Sequence, residues 1–212
     1  MKTTTVLWDW NGTLMNDVPL CWELLNHQLQ RHGYAPVGDL DAYRRVFRFP
    51  IEQYYQDAGF DFSRHPYAQL AQEYAILYAS RCESCPLQPQ AEDMLKALHN
   101  AGLHQFILSA SEQSALKQQV SFYGLTGYFD DLLGLGDVYA RSKVDVGLAW
   151  LRESGVSSSD VLMIGDSVHD FEVAQALGVR CVLYAGGHQP ADVLAATGAP
   201  VVNGLDQIFS YL

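Results

Sequence analysis

Positive charge is scarce in this sequence. Its 212 residues include 13 lysines and arginines against 24 aspartates and glutamates, which gives a formal net charge of −11 at pH 7. The chain has no basic surplus to neutralise a phosphate backbone, so we expect no nucleic-acid partner. A small anionic substrate is still compatible with this charge, because a bound divalent cation inverts the field around it.

Cysteines and long apolar runs are also few. No segment approaches the roughly 20 apolar residues that a membrane-spanning helix needs, and the N-terminus lacks the pattern of a signal peptide. Four scattered cysteines are typical of reduced thiols rather than of a disulfide framework. We therefore expect a cytoplasmic protein with no membrane partner. Cys82 and Cys85 form a lone C-x-x-C, which we interpret as coincidental because no second ligand pair follows it.

Short apolar runs that stop abruptly at polar or small residues occur along the chain. Continuous rather than alternating apolarity is typical of strands buried on both faces of a parallel sheet. Between the runs lie segments with helical spacing, such as 91–102 and 169–179, which end at Gly102 and Gly178. This alternation predicts an α/β fold with a doubly wound, Rossmann-like parallel sheet. The apolar runs are residues 4–9, 105–111, 131–137 (the weakest), 161–167 and 181–187.

The stretch from residue 16 to residue 88 contains no comparable strand run. Apolar residues three and four apart between Val18 and Leu29 form one helical face, and 51–60 and 67–81 also have helical spacing. We predict an inserted α-helical cap domain at residues 16–88. The α/β core domain would then consist of residues 1–15 and 89–212.

Polar side chains follow the predicted strands, at the edge where a doubly wound sheet binds its ligands. Two or three carboxylates close together need a cation between them, and Mg²⁺ prefers such hard oxygen ligands. A carboxylate held opposite a phosphoryl group can attack phosphorus, form an aspartyl-phosphate and be regenerated by water. The side chains at this edge are Asp9, Asn11 and Thr13, then Ser109 and Ser111, then Asp166 and Asp170, with Lys143 at the start of the preceding helix.

Four short motifs occur in one order along nearly the whole chain. They are "DWNGT" (9–13), "FILSAS" (106–111), "RSKVD" (141–145) and "IGDSVHD" (164–170). They resemble the nucleophile, hydroxyl, lysine and acidic motifs of the haloacid dehalogenase superfamily. The helical insertion resembles the α-helical cap of that superfamily, and the chain as a whole resembles its phosphoglycolate-phosphatase-like branch.

The resemblance implies a role for each motif residue. Asp9 would be the nucleophile and a Mg²⁺ ligand, Asn11 would give its main-chain carbonyl to the metal, and Asp166 would complete the protein ligands. Asp170 would bind the metal through water or anchor Lys143. The remaining contacts to the phosphoryl group would come from Gly12, Thr13, Ser109, the backbone of Ala110, and Lys143.

Asn11 departs from the hydrolase pattern of the superfamily. That position usually holds an aspartate that protonates the leaving oxygen and then deprotonates water. An amide cannot transfer this proton at neutral pH, so a contribution of about 10² to 10⁴ in rate is in question. We therefore predict slow turnover, a good leaving group such as an acyl phosphate, or a substitute acid. His169 is a candidate substitute, and the simpler interpretation is a solvated histidine in the first turn of a helix.

Other chemistries fit the sequence less well. The Schiff-base reaction of phosphonate-cleaving relatives needs a cap lysine, but all four lysines lie outside residues 16–88. Metal-free dehalogenases have a motif similar to D-x-Y-G-T, whereas this chain has Asn11 in place of the tyrosine. The Asp166–Asp170 pair favours a metal site instead. No P-loop pattern occurs. The alternative from another class is a catalytically impaired protein that binds phosphate in a regulatory role, and a binder has no need of the nucleophile Asp9.

Substrate specificity is expected to come from the cap. Its densest basic group is "RRVFRFP" (44–50), and we predict that Arg45 and Arg48 reach a second anionic group of a small phosphorylated metabolite. Solvated arginines are the alternative. His188, after the fifth apolar run, is interpreted as a loop residue rather than a catalyst. The sequence thus predicts a Mg²⁺-dependent phosphohydrolase.

Overall fold

The computed structural model describes residues 3–136 and 142–212. Its strands are β1 (Thr5–Trp8), β2 (His104–Glu112), β3 (Asp131–Leu135), β4 (Val161–Gly165), β5 (Arg180–Tyr184) and β6 (Val201–Val202). They form a parallel sheet in the order β3-β2-β1-β4-β5-β6. This order confirms the predicted doubly wound α/β fold, and the two-residue β6 is the strand that the apolar pattern did not predict.

The helices alternate with the strands after residue 90. They are α1 (Val18–Arg31), α2 (Leu40–Val46), α3 (Ile51–Asp57), α4 (Tyr67–Ala79), α5 (Ala91–Asn100), α6 (Gln113–Phe122), α7 (Lys143–Ser154), α8 (Val168–Leu177) and α9 (Ala191–Ala195). Gly102 and Gly178 have positive φ just beyond α5 and α8, as their predicted stop positions require. None of these helices combines the length and the hydrophobicity that crossing a bilayer requires.

Strand β1 is buried along its whole length at the centre of the sheet. Because side chains alternate along a strand, Val6 and Trp8 pack on the side of α5 and α6, whereas Leu7 packs on the side of α7 and α8. Both faces of the sheet are thus covered by helices. This explains why the strand reads as a continuous apolar run in the sequence.

Helices α1 to α4 all come from the segment between β1 and β2, and an apolar cluster of their own holds them together. Two chain segments join this helical part to the sheet and run side by side. The backbone N–H of Asn16 donates to the carbonyl of Pro86 at 2.8 Å, and the N–H of Gln88 donates to the carbonyl of Leu14 at 2.8 Å. The domain limits at residues 16 and 88 stay a prediction.

Cys82 and Cys85 are free, buried thiols that belong to the core beside β1. Two of the predicted sequence features extend beyond the described residues. Asp137 at the end of the run 131–137, and Arg141 at the start of the lysine motif, lie in the gap between residues 136 and 142.

Candidate active site

The first strand delivers Asp9 to the carboxyl edge of the sheet, where the chain turns sharply. The backbone N–H of Asp9 donates to the carbonyl of Ile164 on β4 at 2.8 Å, which sets the two strand ends side by side. Gly12 then takes a φ of +74°, and a Cβ there would collide with the carboxylate of Asp166 and the ring of His188. Only glycine fits this turn, because the turn is left-handed and closely packed.

A buried lysine joins two of the carboxylates. Lys143, the first residue of α7, donates from Nζ to Oδ1 of Asp9 and to Oδ1 of Asp170, each at 2.6 Å. Ser142 caps this helix by accepting the N–H of Asp145, so the start of α7 is fixed where the lysine emerges. An ammonium group carries three N–H donors, and these contacts use two of them.

The third carboxylate, Asp166, follows β4 and faces Asp9 across a threonine hydroxyl. Thr13 Oγ1 lies 3.2 Å from Asp9 Oδ2 and 3.1 Å from Asp166 Oδ1, so it bridges the two side chains. The backbone N–H of His188 donates to Asp166 Oδ2 at 2.5 Å. Thr13 therefore holds the carboxylates, and it does not line the cavity that lies above them.

Asp170 has its second oxygen engaged in a capping box. Ser167 accepts the N–H of Asp170 at the N-terminus of α8, and Asp170 Oδ2 accepts the backbone N–H groups of Asp166 and Ser167 and the hydroxyl of Ser167. Of the two roles that the resemblance allowed, this geometry favours an anchor for Lys143.

The charges in this cluster do not balance. Burial raises the pKa of Asp9 to about 8, with Lys143 opposing the shift and the carboxylates of Asp170 and Asp166 adding to it. Burial likewise raises the pKa of Asp166 to about 6, against the influence of His188. Burial acts in the same direction on Asp170, but Lys143 outweighs it and lowers the pKa of that carboxyl. One ammonium is thus insufficient for three buried carboxylates.

A divalent cation fits this charge deficit. Asp9, Asp166 and Asp170 each offer a carboxylate oxygen, and these oxygens lie within 4.8 Å of one another. Buried carboxylate oxygens are hard ligands, which suit Mg²⁺. Each oxygen of Asp9 and of Asp166 accepts a single hydrogen bond. Asp170 Oδ2 accepts three, and its Oδ1 accepts from Lys143, so Asp9 and Asp166 are the ligands we expect to contact the ion.

The hydroxyl motif at the end of β2 also reaches the site. Ser109 and Ala110 line the cavity beside the carboxylates, and the backbone N–H of Ser111 donates to Ser109 Oγ at 3.1 Å. Ser111 Oγ donates to Oδ1 of Asn11 at 2.8 Å. The turn after β1 and the end of β2 are therefore joined directly at the edge of the cavity.

The side chain of Asn11 is fully occupied. Its Nδ2 donates to Asp17 Oδ2 at 2.9 Å and to the hydroxyl of Tyr78 at 2.7 Å, while its Oδ1 accepts from Ser111. An amide with both N–H groups and its oxygen engaged has no proton donor left for a leaving group.

Asp17 and Tyr78 line the cavity although no sequence motif indicates them, and His188, interpreted from the sequence as a loop residue, is buried at the same site. Asp17 Oδ1 accepts the N–H of Gly12 at 2.9 Å and lies 3.2 Å from Nε2 of His188, whose Nδ1 lies 2.8 Å from the hydroxyl of Tyr43. Burial alone would raise the pKa of Asp17, but His188 and the hydrogen bonds outweigh it and hold that pKa at about 2. Burial would lower the pKa of His188, yet Asp17 outweighs it and raises that pKa.

The predicted substrate arginines do not reach the cavity. Arg45 pairs with Asp192 at 3.2 Å and Arg48 pairs with Asp57 at 2.9 Å, both on the surface. Gly12 lies beneath the cavity rather than along its wall. His169 does line it, with its ring stacked on Phe49 at 4.3 Å between centroids, and its role as a substitute acid stays a prediction.

Comparison with known proteins agrees with this arrangement. A family model described as haloacid dehalogenase-like hydrolase matches residues 6–184. The chain is 25% identical over 192 residues to a phosphoglycolate phosphatase of Cereibacter sphaeroides, covering 89% of this chain and 88% of the relative. It is 24% identical over 229 residues to a phosphoglycolate phosphatase of Aliivibrio fischeri, covering 93% and 91%.

The fold is similar to that of a haloacid dehalogenase-like family hydrolase from Streptococcus pneumoniae. The two structures superpose with a TM-score of 0.85 over 99% of this chain and 98% of the other, at 18% sequence identity. The family model covers most of the chain, including all four predicted motifs. The chain therefore belongs to the haloacid dehalogenase-like hydrolase family, in its phosphoglycolate-phosphatase-like branch.

Proposed function

We propose that this protein is a Mg²⁺-dependent phosphohydrolase of a small phosphorylated metabolite, with Asp9 as the phosphoryl acceptor. The observation that carries the proposal is the buried contact of Lys143 Nζ with both Asp9 and Asp170 at 2.6 Å, next to Asp166 at the same edge of the sheet. The family match and the phosphatase relatives confirm the predicted enzyme class, a haloacid dehalogenase-like phosphatase. They favour it over the phosphate-binding alternative.

Asp9 has the position that a nucleophile needs. Its carboxylate lines the cavity, and donors from Lys143 and Thr13 fix the orientation of its two oxygens. A carboxylate held in line with the phosphorus atom makes the attack effectively unimolecular, which lowers the entropic cost of the reaction. Attack forms a bond between an Asp9 oxygen and phosphorus, and the substrate oxygen leaves with the electron pair.

Lys143 and the hydroxyl motif at the end of β2 are suited to bind the negative charge of the phosphoryl group. The lysine ammonium keeps one N–H beyond those used by Asp9 and Asp170, and Ser109 and Ala110 border the same space. When Mg²⁺ is bound, it neutralises charge between the nucleophile and the phosphoryl oxygens. Asp170 keeps Lys143 in place, because its own carboxylate is held by the N-terminus of α8.

The second step requires water to attack the aspartyl-phosphate. A base near the phosphorylated Asp9 normally removes a proton from this water. Asn11 offers no basic atom, since its amide is neutral and fully hydrogen-bonded. We therefore expect hydrolysis of the phosphoenzyme to be the slow step.

Release of phosphate from acetyl phosphate and p-nitrophenyl phosphate tests the proposal. We expect wild-type protein to hydrolyse both with Mg²⁺ and not with EDTA, and Asp9→Asn to be inactive. Asp160→Asn is the matched control, because Asp160 also adjoins a strand of the sheet but lies outside the cavity. An Asp9→Asn variant that keeps its activity contradicts the mechanism, and a wild type without activity supports a binding protein.

Composition carries two further parts of the proposal. The scarcity of cysteine favours the reducing cytoplasm, and the charge of −11 disfavours nucleic acid as a partner.

A further inference from the structure

The cavity above the carboxylates has an apolar roof. Its volume is about 310 Å³, at the lower end of the range that small-molecule sites occupy. Its floor is the carboxylate cluster with Lys143, and its roof comes from the helical segment 18–81. The side chains of the roof are Cys21, Phe47, Phe49, Ile51, Tyr74 and Tyr78.

The aromatic rings of this roof are held in fixed orientations. Phe47 stacks on His188 with ring centroids 4.5 Å apart, and Phe49 stacks on His169 with centroids 4.3 Å apart. The two phenylalanines meet edge to face at 5.9 Å. Because each ring packs on a histidine of the core, the roof presents a preformed aromatic wall to whatever group is attached to the phosphate.

None of the arginines of the helical segment 18–81 lines the cavity. Arg44 donates to the carbonyl of Gly187 at 2.9 Å, and Arg45 and Arg48 pair with Asp192 and Asp57. Two more are engaged at the surface, where Arg81 pairs with Glu23 at 2.6 Å and Arg64 lies over the ring of Tyr34. Among residues 3–136 and 142–212, Lys143 is the one lysine or arginine that lines the cavity.

A second anionic group on the substrate would meet an unfavourable environment in this cavity. Lys143 is already paired with both Asp9 and Asp170, and the buried carboxylate of Asp17 lies beside the roof. The ring nitrogens of His188 contact Asp17 and Tyr43. Burying a carboxylate without a partner is unfavourable, so the described wall selects against a substrate such as a phosphorylated carboxylic acid.

Asn11 independently restricts the leaving group. Without an acid, the departing oxygen leaves as an anion, so its stability sets the rate of the first step. A phenol ionises near pH 10, whereas an aliphatic alcohol resembles water, with a pKa of about 15.7. The phenolate is therefore much the better leaving group.

We propose that the substrate is a phosphate monoester of an uncharged aromatic alcohol, whose ring packs between Phe47, Phe49 and the two cavity-lining tyrosines of α4, Tyr74 and Tyr78. The inference rests on the proposed phosphohydrolase function. Asp9 forms the bond to phosphorus while the bond from phosphorus to the phenolic oxygen breaks and phenolate leaves. Water then forms a bond to phosphorus, the bond to Asp9 breaks, and inorganic phosphate and a proton are released.

Three pairs of substrates test the proposal with the wild-type enzyme and Mg²⁺. Phenyl against 4-carboxyphenyl phosphate measures the effect of a second charge, and phenyl against cyclohexyl phosphate measures the effect of leaving-group acidity in a ring of similar size. Phenyl phosphate against 2-phosphoglycolate compares the proposal with the relatives' activity. We expect kcat/KM for phenyl phosphate to exceed each alternative by at least tenfold.

A higher kcat/KM for 2-phosphoglycolate than for phenyl phosphate would overturn the proposal. So would comparable hydrolysis of cyclohexyl phosphate that is lost in His169→Ala, because that histidine would then supply the proton. Acetyl phosphate separates these failures from failure of the proposed function, since it is small and carries its own good leaving group. An enzyme that hydrolyses acetyl phosphate but prefers 2-phosphoglycolate is a phosphohydrolase with a different substrate.

Variants of the roof provide the second measurement. Phe49→Ala should lower the ratio of phenyl phosphate to acetyl phosphate hydrolysis by roughly tenfold, because it removes the aromatic contact with the substrate ring. Phe62→Ala is the matched control, since Phe62 packs in the same helical segment away from the cavity. Phe49→Arg should raise the ratio of 4-carboxyphenyl to phenyl phosphate. If both substrate ratios stay at their wild-type values in Phe49→Ala, Phe49→Arg and Phe62→Ala, the roof does not contact the substrate.

Discussion

Asn11 donates a hydrogen bond from Nδ2 to Oδ2 of Asp17 at 2.9 Å. The amide therefore does what a carboxylate at the same position could not do, because it satisfies a buried carboxylate instead of repelling it. Ser111 and Tyr78 complete the contacts of this side chain. The residue that departs from the family pattern thus pairs with Asp17, the residue that immediately precedes α1.

The first prediction concerns this pair. Asn11→Asp should lower the free energy of unfolding by about 1–3 kcal/mol at pH 7, since two carboxylates then face each other in a buried site. Asp17→Asn in the same chain should restore part of the loss by removing the repulsion. Urea unfolding of both single variants and the double variant measures the coupling. Additive losses would show that the two side chains do not interact.

The second prediction concerns the stability of the metal-free protein at different pH values. Asp9 and Asp166 have a pKa raised from 3.8 to about 8 and about 6. The folded state therefore binds more protons than the unfolded state above pH 4, and stability falls as pH rises from about 4 to 8. His188, with its raised pKa, contributes in the same direction as pH rises through its folded value.

Thermal unfolding in EDTA across this pH range measures the fall. Asp166→Asn should flatten the pH profile, because its amide does not ionise. The contribution of His188 would remain in that variant. A wild-type profile that rises between pH 4 and pH 8 would contradict the charge imbalance in the cluster.

The third prediction concerns the cation itself. Mg²⁺ at about 100 times its Kd should stabilise the wild type by about 2.7 kcal/mol, because it binds only the folded site. Asp166→Asn should lose this stabilisation, whereas Asp160→Asn, which changes a carboxylate outside the cavity, should keep it. The measurement is the melting temperature against Mg²⁺ concentration. Equal shifts in both variants would place the ion elsewhere.

The fourth prediction separates crowding from backbone strain at the turn after Asp9. Gly12 and Gly33 have similar positive φ values of +74° and +78°, but a Cβ at Gly12 collides with Asp166 and His188, whereas one at Gly33 meets open space. Gly33→Ala should cost about 1–2 kcal/mol for the left-handed backbone alone. Gly12→Ala should cost clearly more and abolish Mg²⁺ binding. Equal losses in urea unfolding would show that the turn tolerates the extra methyl group.

Much of the core fold was predictable because local patterns encode it. Continuous apolar runs reveal strands covered on both faces, and strand ends place Asp9 and Asp166 side by side through parallel pairing. The Asp17–His188 contact was not predictable in this way. Its residues lie 171 positions apart and meet only when the helical segment closes over the sheet edge.

The arginines show the other limit of sequence reasoning. A cluster of basic residues indicates charge, but the side-chain partners decide where that charge points. Arg45 and Arg48 find Asp192 and Asp57 on the surface, so the cavity wall in the described residues keeps its aromatic character. No periodicity or motif in the sequence specifies those two partners.

The central claim is that Asp9 accepts the phosphoryl group and that Asn11 leaves the second step without a base. Rapid mixing of enzyme with p-nitrophenyl phosphate and Mg²⁺ measures both parts at once. We predict a burst of p-nitrophenolate approaching the enzyme concentration, followed by slow turnover, with the added phosphoryl mass on the peptide that contains Asp9. Steady release without a burst, or phosphate on another residue, would contradict the account.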